Sequence, residues 1–244
     1  MAKTATTDTV KVDNLPTLTE LLEAGSHFGH SVKRRNPKMD DYVYTIKNGV
    51  QVFDLLKTRQ LLSDACEYLT KIASEGGTIL MLGTKSQAVE VIRAEATRIG
   101  TPYIVNRWVG GLFTNWSSLK TRIEKLLKTK EGKEKGEFKK YTKKEQVIID
   151  RSIERLERMF GGVSTLKELP KAIFIVDPTR ETTAIREAFA VGVPVVAVVD
   201  SNCDPSGIAH VIPANDDALK SVEMIVKAIA GSIEKGMKLA RNSK

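Results

Sequence analysis

The chain has 244 residues, 41% of them apolar, enough to bury a core as one large domain or one domain with an inserted piece; wholesale disorder is excluded. Thirty-eight Lys and Arg against thirty Asp and Glu leave a net charge of +8, which suits a polyanionic partner without identifying it. No apolar run is longer than that of Val195–Val199, far short of the roughly 18 residues of a membrane helix, and two distant cysteines, Cys66 and Cys203, encode neither a disulfide framework nor a zinc ribbon and point to a reducing compartment. The start, Met1–Asp13, is polar and Thr-rich with no apolar signal core, and reads as a flexible tail. Thr17-Leu-Thr-Glu20 after Pro16 is a capping box that opens a short helix stopped at Gly25. The polar stretch Ser26–Asp41 reads as loop, and Asn48-Gly49 inside the β-favouring run Tyr42–Phe53 predicts a hairpin. Leu55, Leu62, Ala65, Leu69 and Ile72, behind Asp54 as N-cap, predict an amphipathic helix ending before Gly76-Gly77.

An alternation follows. Apolar runs at Thr78–Leu82, Tyr103–Val105, Ala172–Val176, Val193–Val199 and His210–Ile212 are separated by helical periods at Ser86–Ile99, Arg180–Val191 and Asp216–Ile233, the last capped by Asn215. Runs apolar on both faces and separated by helices require a parallel sheet covered on both sides. The interval between the second and third runs is too long for one crossover and predicts an insertion. Trp116, Leu119, Ile123 and Leu126 form one stripe, and Ile149, Ile153, Leu156 and Phe160 another, as two helices folded back on each other would. Between them, Lys128–Lys144 carries eight Lys against three Glu and reads as a solvated or anion-bound tip.

Gly83-Thr-Lys-Ser86 follows a strand and opens a helix but lacks Walker spacing, so an ordinary strand-to-helix turn is the better reading. Asp177, Asp200 and Asp204 lie at strand ends near Cys203, where α/β folds hold ligands. Chemistry there needs a partner such as His, and the nearest in sequence, His210, opens an edge-like strand; turn and cap roles are favoured. His27 and His30 have no further metal donors beside them in the sequence. Basic residues recur in separate places: Lys33, Arg34, Arg35 and Lys38 on a loop; Arg107 at a strand end beside Trp108, whose indole either stacks on a base or packs; Lys128, Lys130, Lys139 and Lys140 around the tip; and a basic C-terminal tail. Several basic surfaces fit a protein wedged among folded RNA segments better than one substrate cleft.

Leu21-Leu-Glu-Ala-Gly-Ser-His-Phe-Gly-His30, Asn36-Pro-Lys-Met39, Phe53-Asp-Leu-Leu-Lys-Thr58, Leu82-Gly-Thr-Lys85, Asn106–Asn115, Val199–Pro205 and Ile212–Asp217 together resemble, in order, the S-two family of bacterial small-subunit ribosomal proteins. The resemblance implies a flavodoxin-like, doubly wound parallel α/β sheet with an inserted antiparallel helical hairpin, a coiled coil. The domain reading that follows is a tail at 1–15, the α/β domain at 16–110 and 165–232, the insertion at 111–164 and a basic tail at 233–244. It also implies a structural constituent of the small ribosomal subunit with no enzymatic activity, taking part in translation in the cytoplasm or on an organellar ribosome; no cofactor is expected, and a metal near His27, His30 or the strand-end Asp residues is left open. The implied partners are small-subunit ribosomal RNA, neighbouring ribosomal proteins and the messenger-binding ribosomal protein S-one. Ser26, Ser31-Val32, Val109 and the Lys-rich tip depart mildly from the family's usual residues. The rival reading is a nucleotide- or sugar-phosphate-using enzyme with Asp177, Asp200 and Cys203 at the strand ends; a protein-docking module overlaps the ribosomal one.

Overall fold

The computed structural model describes residues 15–242, so the expected tail at 1–13 lies outside the described residues. Thr17 closes the capping box: its hydroxyl accepts the Glu20 N–H at 3.2 Å while the Glu20 carboxylate accepts the Thr17 N–H at 2.7 Å. Helix α1 (Leu18–Glu23) starts there, and the chain turns out of it at Gly25, φ +74°. Strand β1 (Phe28–Ser31) follows inside the stretch that reads as loop, then two short 3₁₀ turns at Val32–Arg34 and Pro37–Tyr42. The hairpin forms where Asn48-Gly49 predicts it, between β2 (Val43–Lys47) and β3 (Val50–Phe53). Asn48 and Gly49 supply the two positive φ angles, 52° and 74°, that a tight hairpin turn needs. β1 joins the far side of β3, giving a three-stranded antiparallel ribbon in the order β1-β3-β2.

Asp54 then caps α2 (Leu55–Ser74), accepting the Leu56 N–H at 3.0 Å. The alternating segment folds as β4 (Ile79–Leu82), α3 (Ser86–Ile99) and β5 (Tyr103–Ile104). The segment between β5 and β6, where the sequence predicts an insertion, supplies α4 (Trp116–Glu134), a 3₁₀ turn at Glu137–Lys140 and α5 (Lys143–Phe160). The chain returns as β6 (Ala172–Val176), α6 (Thr182–Val191), β7 (Val195–Val199), β8 (His210–Pro213) and α7 (Leu219–Asn242). The five long-range strands are all parallel in the order β5-β4-β6-β7-β8. That is the 2-1-3-4-5 order of the flavodoxin-like doubly wound sheet, whose switch point falls between β4 and β6.

Alternate strand residues divide between two cores. Ile79, Met81, Phe174, Val196 and Val198 join α2, α3 and α7 in one buried cluster. Leu80, Leu82, Ile173, Ile175 and Ala197 join α6, Phe53 and the first turns of the insertion in the other. The stripe residues Leu119, Ile123 and Leu126 of α4 and Ile153 and Phe160 of α5 sit in that second cluster, and Lys130 with Glu157 and Lys133 with Asp150 form ion pairs between the helices.

Several boundaries differ from the sequence reading: α7 starts at Leu219, not behind Asn215, whose side chain instead holds a turn through the Asp217 and Ala218 N–H groups. The Lys-rich segment is not one open tip, because α4 runs on to Glu134 and buries Gly132 against Phe138. Helix α6 begins at Thr182 rather than Arg180, since a turn held by Arg180 N–H to Asp177 C=O precedes it. Residues 233–242 of the expected basic tail are the last turns of α7.

Candidate nucleic-acid interface

The loop with Lys33, Arg34, Arg35 and Lys38 is fastened to the carboxyl ends of the sheet. Ser201, just beyond β7, accepts the His30 N–H on its hydroxyl at 2.8 Å and the Asn36 N–H on its carbonyl at 2.8 Å. Lys38 donates to Asp204 at 2.9 Å and to Ser206 at 2.7 Å. Asp204 is held down to about 2 by its hydrogen bonds with Ser206 and Lys38. Arg35 lies 3.8 Å from Asp40. Lys33 and Arg34 are exposed and form no ion pair among the described residues.

Behind that loop, Asp177 and Asp200 gather with Asp216 and Asp217 rather than with Asp204, and their histidine is His30, not His210. His30 Nδ1 stands 3.1 Å from Asp200 and Nε2 stands 3.4 Å from Asp217. Both ring nitrogens facing carboxylates favours the doubly protonated imidazolium, and the bond to Asp200 raises the His30 pKa accordingly. His27 instead stacks on Phe28 and His210 on Tyr68. Lys85 reaches back from the β4–α3 turn to Asp216 at 2.7 Å, Asp217 at 2.5 Å and Asp177 at 3.9 Å. Burial pulls the Lys85 ammonium down, but its bonds to Asp216 and Asp217 outweigh that and raise it. Burial and the nearby Asp200 push Asp216 up to about 7.

His30–Asp200–Asp217 and Asp177–Cys203–Asp216 are each close enough to share a cation. His30 and Lys85 already lie between these acids as the protein's own positive charges, so the charge they offer a metal is largely countered. The same arrangement gives no catalytic constellation. Neither His30 nitrogen is free to act as base, and burial pushes the Cys203 thiol up to about 11, far from a reactive thiolate. Lys85, in the turn that superficially resembles a phosphate loop, is committed to carboxylates.

A second loop joins β5 to α4. Its Trp108 is 7% exposed, with the indole edge-on to Phe113 and its N–H donated to Glu187 at 3.1 Å. Of the two roles the sequence left open, packing is the one observed, and the buried indole presents no face for a base. Glu187, on α6, also accepts the backbone N–H groups of Gly111 at 2.7 Å and Phe113 at 3.0 Å. Burial would raise this carboxyl, but the bonds from Gly111, Trp108 and Phe113 together hold it below its ordinary value. Sequence reasoning missed Glu187, whose only signal was a carboxylate on the inner face of a predicted amphipathic helix. Beside this anchored loop, Arg107 is exposed and forms no ion pair among the described residues.

Lys128 is exposed on α4 and forms no ion pair among the described residues, whereas Lys130 is half-buried and engaged by Glu157. Lys139 and Lys140 lie exposed on the 3₁₀ turn between the helices, Lys140 with its ammonium 5.8 Å from the Tyr141 ring centre. Of the predicted cations, Lys33, Arg34, Arg107, Lys128, Lys139 and Lys140 are exposed and form no ion pair among the described residues, spread over the ribbon, the β5–α4 loop and the α4–α5 segment. No helix among the described residues is long and apolar enough to cross a membrane.

Residues 21–236 match the family described as Ribosomal protein S2. The chain is 43% identical over 235 residues to the small ribosomal subunit protein uS2 of Chloroflexus aggregans, covering 96% of this chain and 99% of the relative. It is 45% identical over 222 residues to that of Roseiflexus castenholzii, covering 91% of this chain and 84% of the relative. With this match and the doubly wound sheet, the chain belongs to the ribosomal protein S2 family, structural and non-enzymatic proteins of the small ribosomal subunit.

Proposed function

We propose that the chain binds small-subunit ribosomal RNA by charge and shape, with Lys33, Arg34, Arg107, Lys128 and Lys139 replacing counterions along phosphates and the sheet acting as a rigid spacer between them. The observation that carries this is the set of exposed cations left without ion pairs on separate elements, in a chain of net charge +8. Backbone-directed binding of this kind needs no base readout. Lys38 and Lys130, engaged by Asp204 and Glu157, contribute less than the unpaired cations, and Trp108 contributes by holding its loop. The bacterial relatives support a cytoplasmic ribosome. Docking of the messenger-binding ribosomal protein S-one rests on the family resemblance, and capture of that protein by the tagged chain after nuclease treatment tests it.

The test of RNA binding is a salt titration of the full chain on deproteinised small-subunit ribosomal RNA. Lys33→Ala, Arg34→Ala and Arg107→Ala combined should lower the slope of log affinity against log salt by about two to three, close to one per lost phosphate contact. An unchanged slope in the triple variant removes these residues from the RNA footprint.

A further inference from the structure

Tyr44 is 75% exposed on β2, the edge strand of the ribbon. A tyrosine usually hides its ring, and this one is presented by a local device. The pairing of β2 with β3 passes from Val43↔Phe53 to Thr45↔Val52, so Tyr44 is the extra residue of a β-bulge. A bulge re-aims the side chain it carries and bends the strand at that point. Ile46, 50% exposed, follows on the same strand.

The surroundings are basic and open. Lys47 ends β2, is exposed and forms no ion pair among the described residues. The Val32 N–H bonds the Gly49 carbonyl at 3.0 Å, which sets the Lys33-Arg34 turn directly against the hairpin turn. A Cβ placed on Gly49 would meet nothing within 4 Å, so another molecule's backbone can approach the turn closely. Of the two acids that precede the strand, Asp40 is engaged by Arg35 and Gln51, while Asp41 is exposed. Tyr44 and Lys47 share the edge strand β2, and the Lys33-Arg34 turn lies across the ribbon beside the hairpin turn, so the same ribbon offers a ring for a base and cations for phosphates further along the chain.

We propose that the ribbon is a platform for unpaired RNA, in which Tyr44 stacks on an extruded base while Lys47, Lys33 and Arg34 hold the flanking phosphates. This rests on the RNA-binding reading and adds to it a preference for single-stranded over duplex segments. A duplex keeps its bases stacked and offers Tyr44 only its ends, whereas a loop or bulge offers a base face.

The test uses the full-length chain with two labelled probes, a short unpaired oligoribonucleotide of mixed sequence and a blunt RNA duplex. The wild type should bind the unpaired probe more tightly. Tyr44→Ala should lose roughly 5- to 150-fold on that probe, as expected for one stacked base, with its salt slope unchanged. Tyr44→Phe, which keeps the ring, should bind like the wild type. Lys47→Ala should lower the slope by about 0.7, one phosphate on a single strand. Wild-type affinity of Tyr44→Ala for the unpaired probe overturns the proposal. Intact oligonucleotide binding by Tyr44→Ala together with poor incorporation into small subunits also overturns it, and assigns the face to a neighbouring protein. If the wild type binds neither this probe nor ribosomal RNA, the broader RNA-binding reading has failed. If it binds ribosomal RNA and Tyr44→Ala does so equally well, only the platform has.

Discussion

The carboxylate of Glu187 accepts the indole N–H of Trp108 at 3.1 Å, and through this contact a helix of the sheet domain holds the loop that leads into α4. The same carboxylate takes the N–H groups of Gly111, Phe113 and Thr114, so one side chain satisfies several buried or half-buried donors across the junction. Glu187→Gln keeps the shape but replaces one acceptor oxygen with a donor that faces N–H groups. It should destabilise the fold by about 1–3 kcal/mol, the usual cost of orphaned buried donors, and shift Trp108 fluorescence to the red. A denaturation midpoint equal to wild type would show that the loop is held by its apolar contacts alone.

Lys85 plays the corresponding part at the sheet's carboxyl edge. Lys85→Met leaves Asp216 and Asp177 buried beside Asp200 without their cation, and removing one partner of such a group typically costs about 3–5 kcal/mol. The loss should be larger at pH 8 than at pH 5, because Asp216, already pushed up to about 7, can take a proton and shed its charge at the lower pH. Equal losses at both pH values would show that Asp216 does not titrate in this range.

His30 and Asp216 act with the same sign on stability. His30 is raised in the folded chain by its bond to Asp200, so its contribution is fully present below its unfolded value and is lost as pH rises through the folded one. Asp216 is raised by burial, so the folded state holds its proton longer than the unfolded chain, and the fold loses stability as pH rises from the ordinary carboxylate range to about 7. Denaturation midpoints should therefore fall between pH 6 and pH 8, and His30→Gln should flatten the alkaline part of the fall. A midpoint that rises across this interval would contradict the assignment.

Two glycines of α7 should respond oppositely to alanine. A Cβ at Gly236 would stand 2.4 Å from the Thr70 carbonyl oxygen and 2.6 Å from the Ala73 Cβ, so Gly236→Ala forces α7 off α2 and should cost about 1–3 kcal/mol. At Gly231 a Cβ meets nothing within 4 Å, and Gly231→Ala should stabilise the helix by about 0.5–1 kcal/mol. Thermal melts of the two variants check this, and matching shifts would show that the α2–α7 approach is looser than the contact implies.

The parts of the fold legible in the sequence are those with local causes. The Thr17–Glu20 capping box, the Asn48-Gly49 turn and the Ser86–Ile99 period each carry their instruction within a few residues, and all three form as read. Strand β1 does not, because Phe28–Ser31 is extended only by pairing with Val50 and Val52 across the ribbon. Helix α7 overran its expected end because neither Gly231 nor Gly236 stops it; Gly236 is there to let α2 approach. The candidate site divides the same way. Unpaired cations such as Arg34 and Arg107 were visible as basic residues on loops. The neutralised ones were not, since whether Lys38 meets Asp204 or Lys130 meets Glu157 depends on contacts between distant segments. His30 beside Asp200 is of that kind too.

The most direct test of an electrostatic hold on ribosomal RNA is sedimentation of the tagged chain from its native cell at two salt concentrations, beside Arg34→Ala and Arg35→Ala variants. The wild type should travel with small subunits at low salt and be released at high salt. Arg34→Ala should be released at lower salt than Arg35→Ala, since Arg34 has no ion pair among the described residues while Arg35 already faces Asp40. Release of wild type and both variants at one common salt concentration, or wild type at the top of the gradient at both, would contradict it.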